Sequence, residues 1–350
     1  MNKVVSLALL AVLAPAATAQ KDRIVWTDGT VTDSIRITDF NLREVKFSQR
    51  GSTETRSADT VARLEVNKVK DAYRRAYGAA GDDERYSQFI STAQKLVGKN
   101  DFMAQWGYME AARLARSIQE DSQAFAVLEE MASKLPDSGF SPELYRFKLD
   151  FYLPLGKEKA RSAIAVASQY SKAAIEKGWP DGFVHEAAYY DLMARAVDGT
   201  VVGGQLQGEF KGLLNKTEGA YPAVADRVKV QMAHAQRRDG ELAAAKKVYQ
   251  TLVDKNGVDD DTRLQALLGL GHTHFASGDP TNTEPYRDAL MAFLRVYLEA
   301  PSSAGSMKAE ALYHGGLASE KWRGPDSGAM ARRLRGYLRR DYPESEWANR

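Results

Sequence analysis

The sequence predicts a mainly α protein: a helical-hairpin solenoid of about six or seven hairpins, preceded by a small antiparallel β-barrel-like domain. Three observations carry this. From residue 67 onward, apolar residues recur at helical spacing, interrupted at near-regular intervals by glycine or a polar turn. Residues 22–66 show period-two alternation rich in Val, Ile, Thr and Phe. Within 264–301, small and large residues are spaced as two closely crossing antiparallel helices require. The expected units are a signal peptide over 1–19, a small β domain over 20–66 and the helical array over 67–350.

The first residues fit a secretory signal peptide. Lys3 supplies the positive start, residues 4–13 are an apolar run too short to span a bilayer, and Ala17-Thr18-Ala19 is a small-x-small cleavage site. The expected location is therefore periplasmic or secreted, with Gln20 as the first mature residue. The chain has no cysteine, which excludes disulfides and thiolate metal sites, so packing alone holds the fold. Lys+Arg is 48 against Asp+Glu 46, a balance that makes no electrostatic case for nucleic acid or an anionic membrane.

In 22–66, Asp28-Gly29 separates two alternating runs and signals a hairpin, because that turn needs positive φ. A second turn is expected at 49–52 and a final strand at 60–66. About five short strands follow, with an order of strand, Asp-Gly, strand, polar turn and strand. This segment is similar to Sm-like and SH3-like barrels. It carries no Sm-type signature, so no binding residue follows from the likeness. It is too small to be stable alone and is expected to pack on the first helices.

The helical part divides into pairs: 68–77 with 83–97, 102–119 with 122–135, 142–155 with 157–177, 183–197 with 205–215, 223–238 with 241–255, the pair within 264–301, and 307–322 with 327–341. The fourth is the least regular. Gly199, Gly203, Gly204, Gly208 and Gly212 stand where a good helix would have alanine, so this pair reads as a loosened hairpin or hinge. Successive turn positions, from Gly81 through Gln119, Gly156, Gly199, Gly240 and Gly278 to Gly324, are 38, 37, 43, 41, 38 and 46 residues apart.

The best-preserved pair carries the resemblance. Leu267, Leu270, Gly271 and His274 follow W-x2-L-G-x2-Y spacing, with Leu for Trp and His for Tyr; Ala289, Phe293 and Pro301 follow A-x3-F…P. This resembles the tetratricopeptide (TPR) repeat, whose unit of about 34 residues is lengthened here by insertions such as 280–284. Gly271 and Ala289 would allow the close crossing, and Pro301 would stop the second helix. The final Tyr-Pro-Glu-Ser-Glu-Trp-Ala stretch resembles the inter-repeat joint of TPR proteins of the bacterial envelope.

No catalytic constellation is present: no G-x-S-x-G, no H-E-x-x-H and no phosphate loop. His272 and His274 are two apart on a helix and point to different faces, so no metal or cofactor is expected from them. Asp259-Asp260-Asp261 reads as a helix cap rather than a calcium loop, and Asp82-Asp83 likewise. The arginines of the last helix read as a solvating end cap, or as a docking surface for an acidic partner.

The resemblance implies a groove lined by one face of each first helix, taking a protein or peptide. Spacing i, i+3, i+7, i+10 selects Trp106, Met109, Arg113 and Arg116 in the second pair. In the fifth it selects Arg227, Val230, His234 and Arg237. It selects Gln265, Leu268, His272 and Phe275 in the sixth, and Glu310, Tyr313, Leu317 and Glu320 in the seventh. Aromatic, aliphatic and Arg side chains together have the composition of binding hot spots. The expected function is a non-enzymatic exported scaffold binding an envelope protein or peptide. The alternative is a cell-wall or polysaccharide-binding module in which Trp106, Trp179 and Tyr189-Tyr190 stack on sugar rings. A helical-toroid hydrolase would need a Glu or carboxylate pair facing a cleft. A purely structural module would oligomerise through its open ends.

Overall fold

In a computed structural model of the chain, residues 21–301 and 304–350 are described; the expected export signal lies outside them. Five strands open the described chain: β1 (Asp22–Trp26), β2 (Val31–Phe40), β3 (Glu44–Gln49), β4 (Ser52–Ser57) and β5 (Val61–Glu65). Alternation places Ile24, Trp26, Ile35, Ile37, Val45 and Phe47 on one buried face. A register shift between Ile37 and Asp39 keeps Phe40 on that face as well. The two expected turns form. Gly29 has φ +86, and the Asp28 carboxylate accepts from the Thr30 backbone N–H at 2.8 Å. Arg50-Gly51 provides the second turn, both residues at positive φ.

The barrel expectation is corrected. The strand order is β4-β3-β2-β1-β5, all neighbours antiparallel, and β4 and β5 are edges that do not pair. The physical reason lies in β4, Ser-Thr-Glu-Thr-Arg-Ser, which has no apolar face with which to close a barrel. Helices cover the buried face instead.

The described residues after β5 are mainly helical. The first turns, α1 (Asn67–Ala72) and α2 (Arg74–Gly78), precede α3 (Asp82–Leu96). Next come α4 (Asp101–Ser117) and α5 (Asp121–Lys134), then α6 (Ser141–Tyr152) and α7 (Ala160–Glu176), then α8 (Asp181–Asp198) and α9 (Gly203–Thr217). The last three pairs are α10 (Pro222–Arg238) with α11 (Leu242–Asp254), α12 (Asp260–Ser277) with α13 (Glu284–Glu299), and α14 (Gly305–Trp322) with α15 (Ser327–Asp341). Helix α6 stops short of 155, because Pro154 diverts the chain into a 3-10 turn, Leu153–Glu158, with Gly156 at φ +64. Asp259 caps α12 as expected, accepting from Thr262 N at 3.0 Å, whereas α3 begins at Asp82 without a side-chain cap.

Each helix from α3 to α15 packs on the next, and α8–α10, α10–α12 and α12–α14 also touch. At the α12–α13 crossing a Cβ on Gly271 would meet the Phe293 ring at 2.7 Å, so the small residue is required. Ala289, Leu267 and Phe293 are buried beside it. The sheet and the helices through α10 share one continuous apolar core, from Ile24 to Val228.

The sheet lies across the N-terminal ends of α6, α8 and α12. Leu42 N donates to Asp137 O at 2.8 Å, just before α6. The buried Gln105 amide donates to Phe40 O at 2.7 Å, and its oxygen accepts from Ser138 Oγ at 2.8 Å and Gly139 N at 3.1 Å. Gly182 N at the start of α8 donates to Asp59 Oδ2 at 2.8 Å. Helix starts carry unpaired N–H groups and a positive dipole end, which an acidic side chain satisfies. At the start of α12, Gly29 and Gly257 are in backbone contact.

The glycines of α9 have a simple energetic consequence. Gly204, Gly208 and Gly212 are exposed, and a Cβ at each would meet nothing within 4 Å. Converting all three to alanine should raise unfolding free energy by about 2 kcal/mol, at up to roughly 1 kcal/mol each. Chemical denaturation of the triple variant measures this; a loss of stability would show that close backbone approach at these sites matters.

Candidate binding face

The first helices, α4, α6, α8, α10, α12 and α14, form a row joined by polar bonds between side chains about one pair apart. Arg146 reaches Glu186 and Tyr190 reaches Asp150, each across 40 residues. Arg227 bonds Glu186 across 41 residues, and Gln231 approaches Tyr189 across 42. Gln231 then donates to Gln265 across 34 residues, and His272 meets Glu310 across 38. Arg116 and Asp150 add a 3.6 Å ion pair between α4 and α6.

Glu186 is the centre of the row's first half. Its carboxylate accepts from Arg146 Nε at 2.9 Å and Nη2 at 2.6 Å, from the Tyr170 hydroxyl at 2.7 Å, and from Arg227. Arg227 also faces Asp259 at 3.4 Å, and Arg146 faces Glu143 at 2.6 Å. Burial alone would raise the Glu186 pKa, but the two guanidinium groups overcome it and hold the carboxyl at about 2. A carboxyl so held is ionised at neutral pH and has no proton to donate. A cavity of about 130 Å³ separates this network from the sheet, lined among others by Thr60, Glu143, Arg146, Glu186, Arg227 and Asp259.

The second half of the row carries imidazoles and aromatics. His272 Nε2 is 2.9 Å from Glu310 Oε1, and the His272 and His314 rings meet edge-on with centroids 4.5 Å apart. The C-terminal turn, Glu346–Asn349, folds back so that Trp347 packs on Tyr313 at 5.3 Å and His314 at 5.1 Å. The Arg350 guanidinium covers Trp347 at 4.3 Å. His234 Nδ1 lies 2.6 Å from the Tyr249 hydroxyl. Burial first, then Arg237 and Arg238, pushes the His234 pKa down to about 4. Burial and then the neighbouring His272 do the same at His314.

The residues selected from spacing divide accordingly. Trp106, Met109 and Val230 are corrected to core side chains: each is at least 95% buried, because first helices pack on one another as well as on their partners. Arg113 is exposed and pairs within α4 to Glu110. Arg227 is committed to Glu186 and Asp259, and Gln265 to Gln231 and Asp261. His234, Arg237, Leu268, His272, Phe275, Glu310 and Tyr313 are all half-buried on α10, α12 and α14. Trp179, Tyr189 and Tyr190, the proposed sugar platform, are core residues together with Trp106.

Sequence spacing missed Arg146, Tyr170, Glu186, His314 and Trp347. A usable signal existed for one set: Arg146, Glu186 and Arg227 alternate in charge at 40- and 41-residue separations. Among the described residues, no helix is long and apolar enough to cross a membrane. No family model matches the chain, and no curated protein is similar to it.

Proposed function

We propose that the chain is an exported, non-enzymatic scaffold: a TPR-like helical solenoid that binds a protein or peptide through its first-helix row. The observation that carries this reading is the chain of cross-helix bonds at separations of 34–42 residues, which follows the repeat length read from the turns. In a stacked repeat array, equivalent positions of successive first helices line one continuous surface. The sheet covers the first turns of α6 and α8 and meets the α12 side at Gly257, before that helix begins, so the surface offered to a partner is the one further along α10, α12 and α14. There Arg237, Leu268, Phe275 and Tyr313 combine a cation with apolar and aromatic area, the mixture that concentrates binding energy. Glu186 is an ion-pair anchor of the row, not a catalytic acid.

The test compares proteins captured from envelope extract by wild type, by the Arg237→Ala/Phe275→Ala double variant, and by Leu298→Ala. Leu298 is 76% exposed on α13, in the row of second helices. The expected result is a partner held by wild type and Leu298→Ala and lost by the double variant. Identical capture by all three would remove the first-helix row as the binding surface.

A further inference from the structure

The fold brings together three donor groups that no spacing rule connects. Glu310 and His314 are i, i+4 on α14, so they lie one above the other on the same helix face. His272 comes from α12, the preceding member of the first-helix row, and its Nε2 already contacts Glu310 at 2.9 Å. One ligand atom from each of the three lies within 4.8 Å of the other two. We propose that His272, Glu310 and His314 form a binding site for a divalent transition-metal ion of the zinc type, with three protein ligands and an open fourth position.

The dimensions fit. Metal–ligand bonds of about 2.0–2.1 Å in a tetrahedron put ligand atoms roughly 3.3 Å apart, between the 2.9 Å and 4.8 Å of this cluster. Binding then needs side-chain rotation of an ångström or so, with the His272–Glu310 hydrogen bond exchanged for two metal bonds. The donor set selects the ion. Two imidazoles and one carboxylate suit Zn²⁺, Co²⁺, Ni²⁺ or Cu²⁺, whereas calcium and magnesium prefer oxygen ligands alone.

The surroundings orient the ligands. The His314 ring stacks on Phe293 at 5.7 Å and is met edge-on by Trp347, and His272 packs edge-on against the same Phe293 at 5.2 Å. Among the described residues, Glu310 forms an ion pair with no Lys or Arg, only with His272, so its charge remains available to a cation. Arg237 and Arg350 are the nearby positive groups, acting on His314. They oppose a bare dication, and a bound anion or a partner carboxylate in the fourth position would relieve that. All three ligands are half-buried rather than sealed, which leaves a path for the ion and for that fourth ligand.

The site is independent of whether the row binds a protein, and the isolated chain tests it. Co²⁺ is titrated into the full mature chain, following its visible d–d absorption and the bound metal by equilibrium dialysis, with Zn²⁺ as competitor. The expected result is one Co²⁺ per chain, displaced by Zn²⁺, lost in His272→Gln and His314→Gln, and weakened at least tenfold in Glu310→Gln. His274→Gln, on another face of α12, should bind as wild type. Circular dichroism checks the fold of each variant, and Glu310→Gln serves if a histidine variant unfolds. Absence of a saturable one-to-one site in wild type overturns the proposal, as does wild-type affinity in the folded ligand variants.

Discussion

Replacing Glu186 with glutamine should cost about 3–5 kcal/mol of stability at neutral pH, among the largest effects of a single substitution in this chain. The side chain is 3% exposed and is the shared partner of Arg146 and Arg227. Its removal leaves two half-buried guanidinium groups with only Glu143 and Asp259 to balance them. The carboxyl's own titration points the same way. A fall from the ordinary 4.5 to about 2 corresponds to roughly 3 kcal/mol of preference for the charged form in the fold. Because folding lowers this pKa, the contribution is fully present above about pH 4.5 and is lost as the pH falls through about 2. Urea unfolding of wild type and Glu186→Gln should therefore show a wide gap at pH 7 that shrinks by about 2 kcal/mol near pH 3, on the order given by that shift. A gap that is small at pH 7, or that does not change with acid, would mean that the arginines are stabilised mainly by solvent.

The helices were legible because each has a 3.6-residue apolar pattern and a stop signal beside it. Gly199 and Gly240 end α8 and α10 at positive φ, as such glycines do. The closure of the sheet was not legible. Alternation in 22–66 says that one face of each strand is buried, but not whether strands or helices bury it. The groove residues show the same limit at finer scale. The spacing rule placed His272 and Glu310 on consecutive first helices, where they do meet. It passed over His314, one residue beyond the selected Tyr313, because contact across a row depends on how far each helix is rotated about its axis. It also counted Trp106, Met109 and Val230 as groove, since periodicity gives the width of an apolar stripe and not which neighbour covers it.

Substituting alanine at Gly257 should detach the tip of the β1–β2 hairpin from the helices. Gly257 has φ +81, and a Cβ there would sit 2.2 Å from Gly29 Cα and 2.3 Å from Gly29 N. Both obstacles are backbone, so neither can rotate away, and the hairpin must move. Positive φ costs a residue with a Cβ about 1–2 kcal/mol. Overpacking adds about 1–3 kcal/mol, for a total of roughly 2–5 kcal/mol. Gly240→Ala separates the two parts, because Gly240 has φ +85 but nothing within 4 Å of its Cβ position. It should show only the backbone part. Amide exchange should accelerate at Thr27 and Gly29 in Gly257→Ala, whose N–H groups bond Thr60 O and Trp26 O, and remain unchanged in Gly240→Ala. The two sites are physically linked: Thr27 and Gly257 line the cavity above Glu186, so the hairpin is one of its walls. Lifting it admits water to the arginine–glutamate network and weakens each charge interaction there. Glu186→Gln should therefore cost less in a Gly257→Ala background than in wild type, a coupling on the order of 1 kcal/mol in a double-mutant cycle. Strict additivity of the two substitutions would show that the sheet does not shield the charged row.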